Sequence, residues 1–165
     1  MNRDPLGLIG TPALAEASEA LHRARRALDD QLRVRSMPTS FAFFGVRRDP
    51  VTQRPRHDTI AVDIEAPVRG APRERLADSL REFADRVQAV WSVLMLPGQA
   101  NIAEIGVRPV VMFIVEVAGR QPETYVAIIE EHDGTPTVGS FAATTYNGDL
   151  DLLRHLLPGS TRILN

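Results

Sequence analysis

The chain lacks lysine and cysteine altogether: its 165 residues carry 19 basic side chains, every one an arginine, and no thiol. Without lysine, no side-chain amine forms a Schiff base, and no P-loop or kinase lysine reaches ATP phosphates. Without cysteine there is no thiolate nucleophile, no disulfide and no thiolate metal site. Aromatics are scarce, at 5% of residues. Long apolar runs are missing too. Val110 to Val115 is too short to cross a bilayer, and Leu6 to Ile9 is too short for a signal-peptide core. No membrane partner is therefore expected, and a cytoplasmic location is. No Gly-x-Ser-x-Gly elbow surrounds any of the seven serines, and no glycine-rich phosphate fingerprint occurs, so no cofactor is expected.

What is present is ordinary for a soluble globular chain: 44% hydrophobic, 24% charged, net charge −2. The length fits one domain with a sizeable core. The near-neutral total gives no global field for nucleic acid or membrane. The charge is nonetheless uneven. Residues 1–100 hold 15 arginines against 13 acids, whereas 101–165 hold 4 against 8.

Residues 1–10 read as an extended arm and 158–165 as a tail, leaving a single domain over 11–157. Thr11 as N-cap and Pro12 at the first helical position open a helix. Leu14, Ala17, Leu21, Ala24, Leu28 and Leu32 then form one stripe at helical spacing. Phe41 to Val46 is an apolar run of strand length. Thr59 to Glu65 alternates, with Ile60, Val62 and Ile64 on one face. A second helix is predicted from Pro72, with Leu76, Leu80, Phe83, Val87, Val90 and Leu94 as its apolar face and Pro97-Gly98 as its stop. A linker, Gln99 to Gly106, leads to Val107 to Ala118. This strand is apolar on successive residues and so covered on both faces. Thr124 to His132 and Thr137 to Thr145 form a hairpin around Asp133-Gly134, and Asp149 to Leu157 closes the domain as a short helix.

The expected order is α-β-β-α-β-β-β-α: an α+β fold with one antiparallel sheet of about five strands, packed with helices. From about residue 11 to 157 this order is similar to that of the roadblock-type light-chain and profilin-like families, and a secretion-chaperone-like α/β sandwich uses a related set of elements. The resemblance is one of element order, without a shared motif. It implies a fold and, by analogy, a partner-binding and often dimeric role.

Four groups of residues could carry function. Arg47, Arg48, Arg54 and Arg56 share one loop with a single acid, a composition suited to a polyanion or an acidic partner; no aromatic interleaves them for base stacking. The Leu/Ala seam of the first helix, marked by Leu14, Leu21 and Leu28, is narrow enough for a helix–helix contact in a homodimer, though the doubly apolar strand asks for the same helix as cover. Glu116, Glu130 and His132 would make a carboxylate–imidazole metal site if neighbouring strands brought them together. Asp58, Asp63 and Glu65 resemble the acidic half of a nuclease site without its usual lysine. The reading these observations favour is a non-catalytic protein-binding module: an adaptor, chaperone or regulatory subunit. The alternatives are a metal-dependent hydrolase using Glu116, Glu130 and His132, and a polyanion-binding module using the arginine loop.

Overall fold

A computed structural model describes residues 5–38, 41–46, 50–52, 57–61, 71–144 and 153–158. Its elements run α1 (Pro5–Arg33), β1 (Phe41–Val46), β2 (His57–Ala61), α2 (Ala71–Val87), β3 (Ala89–Ile102), β4 (Gly106–Val117), β5 (Glu123–His132) and β6 (Thr135–Thr144). The strands form one antiparallel six-stranded sheet in the order β2-β1-β3-β4-β5-β6. The α+β class and the antiparallel sheet are as expected. The element order differs by one strand.

That strand is β3, whose residues had the spacing of a helix. Val87, Val90 and Leu94 fall three and four apart, which suits a helix. From Val90 to Leu96 the chain is also apolar at nearly every position, as in a strand covered on both faces. The two patterns separate at Gln88, whose left-handed backbone (φ 54) ends the helix. Its backbone N–H and its side-chain amide both donate to the Asp85 carbonyl oxygen. The helix therefore stops at Val87, and β3 with β4 absorbs the expected linker 99–106 into a hairpin. Two further expectations change. Helix α1 begins at Pro5, so residues 5–10 are helical and not an extended arm. Leu153 lies in a short 3-10 turn and residues 154–158 are turn and irregular backbone, so the expected C-terminal helix does not run through them; its earlier part lies outside the described residues.

Strand alternation sorts the core into two layers. On one face, Trp91, Val93 and Met95 of β3, Val111, Phe113 and Val115 of β4, and Ala127 and Ile129 of β5 pack against α1. The small Ala13, Ala17, Ala20 and Ala24 let α1 lie close to the sheet, with Leu21, Leu28 and Leu32 filling the space between. On the other face, Ala42, Phe44, Leu94, Leu96, Val110, Met112 and Ile114 pack against Leu76, Ala77, Leu80 and Ala84 of α2, and against Leu153, Leu156 and Leu157. Val110 to Val115 is thus buried from both sides.

Trp91 ties α1 to the sheet. Its ring is 1% exposed, and its indole N–H donates to Glu16 of α1 at 3.1 Å. Gly45 pairs with Trp91, and the indole occupies the place where a β-carbon on residue 45 would stand. Gly45→Ala must displace the ring, and overpacking of this kind costs about 1–3 kcal/mol. Leu28→Ala opens a cavity beneath α1 and is expected to cost about 2–5 kcal/mol. Urea denaturation of both variants measures these losses.

Candidate functional site

The described surface offers two features that could meet a partner, both set by how the sheet ends. The first is a two-stranded arm. Among the described residues, β1 pairs with β3 as far as Met95, and β5 pairs with β4 from Val110 onward. Beyond those points β3 and β4 continue as a ribbon through residues 97–109, with Ile105 and Val107 exposed near its tip. Pro97 lies two residues past the last partner of β1, and Pro109 immediately precedes Val110. A proline supplies no N–H to a neighbouring strand, so both flanks of the arm resist extension.

The second feature is β6, the last strand of the sheet. Its ten described residues carry no charged side chain. Pro136 and a register shift at Ile128/Ile129 disturb its first half, where Gly139 is left without a partner on β5. The second half pairs regularly through Ser140, Phe141, Ala142 and Ala143. Phe141 holds this half to the body of the protein. It stacks with Tyr125, meets the Phe113 ring edge-on, and lies beneath the Arg25 guanidinium of α1 at 4.8 Å. Ala142 and Ala143 are exposed. Among the described strands, none pairs with the outer edge of β6. Sheet edges are ordinarily guarded by charge, proline or a bulge, and the stretch from Ser140 to Ala143 has none of the three.

The candidate residues fall in different places. Leu21 and Leu28 are buried between α1 and the sheet and belong to the core, not to a dimer seam; Leu14 alone of the three is exposed. Arg47, Arg48, Arg54 and Arg56 lie outside the described residues, as do Asp63 and Glu65. Asp58 sits on β2 opposite Phe44.

The fold does not bring Glu116, Glu130 and His132 together. Val115 pairs with Glu123, seven residues before Glu130, so Glu116 and Glu130 stand roughly 25 Å apart at about 3.3 Å per residue. Glu130 and His132 are exposed neighbours, 3.5 Å apart, with the Glu130 side chain lying across Gly139. Among the described residues no group of three or more histidines and acids is placed to hold a metal ion. Glu116 is buried on the α2 face, where its carboxylate accepts the backbone N–H of Leu156 at 3.1 Å and of Leu157 at 2.8 Å. Burial pushes its carboxyl above the ordinary glutamate value, while the N–H groups of Leu157, Leu156 and His155 and the Arg81 guanidinium pull it down.

The β6 edge was not singled out in the sequence. Its signal is nonetheless there: a terminal hairpin strand whose last eight residues, Thr137 to Thr144, contain neither charge nor proline. Among the described residues, no helix is long and apolar enough to cross a membrane. Comparisons with protein-family models, with curated proteins and with solved structures find no match.

These placements assign Glu116 to structure and His132 to the surface. Glu116→Ala leaves two buried N–H groups without an acceptor and is expected to cost about 2–5 kcal/mol. His132→Ala is expected to stay within about 0.5 kcal/mol of wild type. A carboxyl raised by folding contributes stability that is complete below its unfolded value and is lost as pH rises through its folded value. The stability of wild type relative to Glu116→Gln should therefore fall as pH is raised from about 4 to about 8. Denaturant titrations across that range check all three outcomes.

Proposed function

We propose that this chain is a non-catalytic protein-binding module whose partner adds an extended segment to the outer edge of β6. The observation that carries the reading is the uncharged, regularly paired stretch from Ser140 to Ala143 at the margin of the sheet. An edge of this kind offers a row of backbone donors and acceptors that only another strand satisfies in full. Main-chain hydrogen bonds then supply affinity, and alternate side chains supply specificity. The contrast with the arm supports this choice, because Pro97 and Pro109 limit strand addition there. β2, at the opposite margin, carries His57 and Asp58.

A rigid edge is worth more to a partner than a mobile one, since ordering costs are met before binding. The ring packing of Phe141 against Tyr125, Phe113 and Arg25 fixes β6 from its inner side. When the added segment belongs to a second copy, the result is a homodimer with a sheet continuous across the two molecules.

Replacing Ala142 and Ala143 together by lysine places charge on both faces of the edge without touching the core. The double variant is expected to melt within a few degrees of wild type. It should lose at least tenfold in affinity for the partner recovered from native extract, or dissociate if light scattering shows wild type to be a dimer. Undiminished binding by a well-folded double variant rejects the edge.

A further inference from the structure

We infer that residues 153–157 form a strap over the α2 face of the sheet that opens as a unit, with Glu116 as the catch that holds it shut.

The strap is buried like core but lacks a ladder to hold it. Leu153, Leu156 and Leu157 are only 2–4% exposed and pack with α2, β3 and β4. The backbone of residues 154–158 is turn and irregular. One carboxylate accepts two of its N–H groups in succession, those of Leu156 and Leu157. At the other end, the Arg154 guanidinium donates to the Pro122 carbonyl oxygen at 2.7 Å, joining the strap to the approach to β5. Between these attachments His155 takes a left-handed backbone, φ 59, which costs a non-glycine residue roughly 1–2 kcal/mol and which opening relieves. β3 and β4, by comparison, pair continuously from Trp91 with Val117 to Ile102 with Gly106. Irregular segments open at lower free energy than such a ladder.

The catch is sensitive to charge. Among the described residues, the charged group that bears on Glu116 is Arg81 from α2; the strap offers it the backbone N–H groups of His155, Leu156 and Leu157, β3 presents Ser92 directly opposite, and β5 presents buried Thr124. Closing the strap takes the carboxylate out of water, the largest influence on its titration. Opening returns water to it. Acid therefore favours the closed strap, and rising pH favours opening with exposure of the apolar cluster that the three leucines share with α2, β3 and β4.

Amide hydrogen exchange on the full chain, read at Leu156, Leu157 and the β4 amides Val111 to Val115, tests the inference. The expected result is that the two strap amides open at lower free energy than β4, and that their opening constant, corrected for intrinsic exchange, rises with pH. In Glu116→Gln, strap exchange should be faster by about tenfold or more and independent of pH, with β4 unchanged at a pH where both proteins are folded. Strap and β4 amides exchanging together, through global unfolding alone, overturns the inference. So does a Glu116→Gln strap that behaves as wild type. If Glu116→Gln fails to fold, Leu153→Ala is read the same way: faster exchange confined to the strap supports separate opening, and a uniform increase refutes it.

Discussion

Two adjacent strands that are apolar on both faces set the terms for the whole molecule. β3 and β4 bury successive residues from Trp91 to Leu96 and from Val110 to Val117, so neither face of the sheet can be left to water. Each face then needs its own cover. The alanine-rich stripe of α1 lies flat on one side, and Trp91, with its indole N–H on Glu16, joins that helix to the central strand. The other side takes α2 together with Leu153, Leu156 and Leu157. Fully burying a leucine is worth roughly 1.5–3 kcal/mol, so the three strap leucines help to seal that face.

With its faces covered, the sheet meets its surroundings through its margins. Prolines bound it where β3 and β4 run on alone, and a bulge disturbs the start of β6. The remainder of β6 has no such device, and its inner face is fixed by ring packing. This contrast between guarded and unguarded edges singles out β6 as the proposed binding edge. Leu21 and Leu28 of the helix seam are spent on the core. Glu116, Glu130 and His132 do not converge, because the strand register keeps Glu116 far from Glu130.

Much of the architecture was legible in the residues. Phe41 to Val46 was bounded correctly, because a short apolar run between polar segments has few other uses. The doubly buried strand at 106–117 and the hairpin over 123–144 followed from continuous and alternating hydrophobicity. The misreading at β3 has a physical source. Residues covered on both faces satisfy helical and strand spacing at once, and the break at Gln88 uses a residue with no turn signature. Pro97-Gly98, read as a helix stop, lies within a strand where the sheet narrows. Glu116 could not be placed from sequence either. A charged residue in an apolar strand signals an unusual environment, but its acceptor role depends on a segment 40 residues away.

Strand addition at the outer edge of β6, as proposed, leaves a mark on its backbone. Hydrogen exchange at the outward-facing amides of Ser140 to Ala143, measured on the free chain and on the complex isolated from its native source, reads that mark. These amides are expected to exchange rapidly when free and to become protected in the complex, as strand addition requires. Protection that appears elsewhere, with the β6 edge exchanging as freely as before, would rule strand addition out.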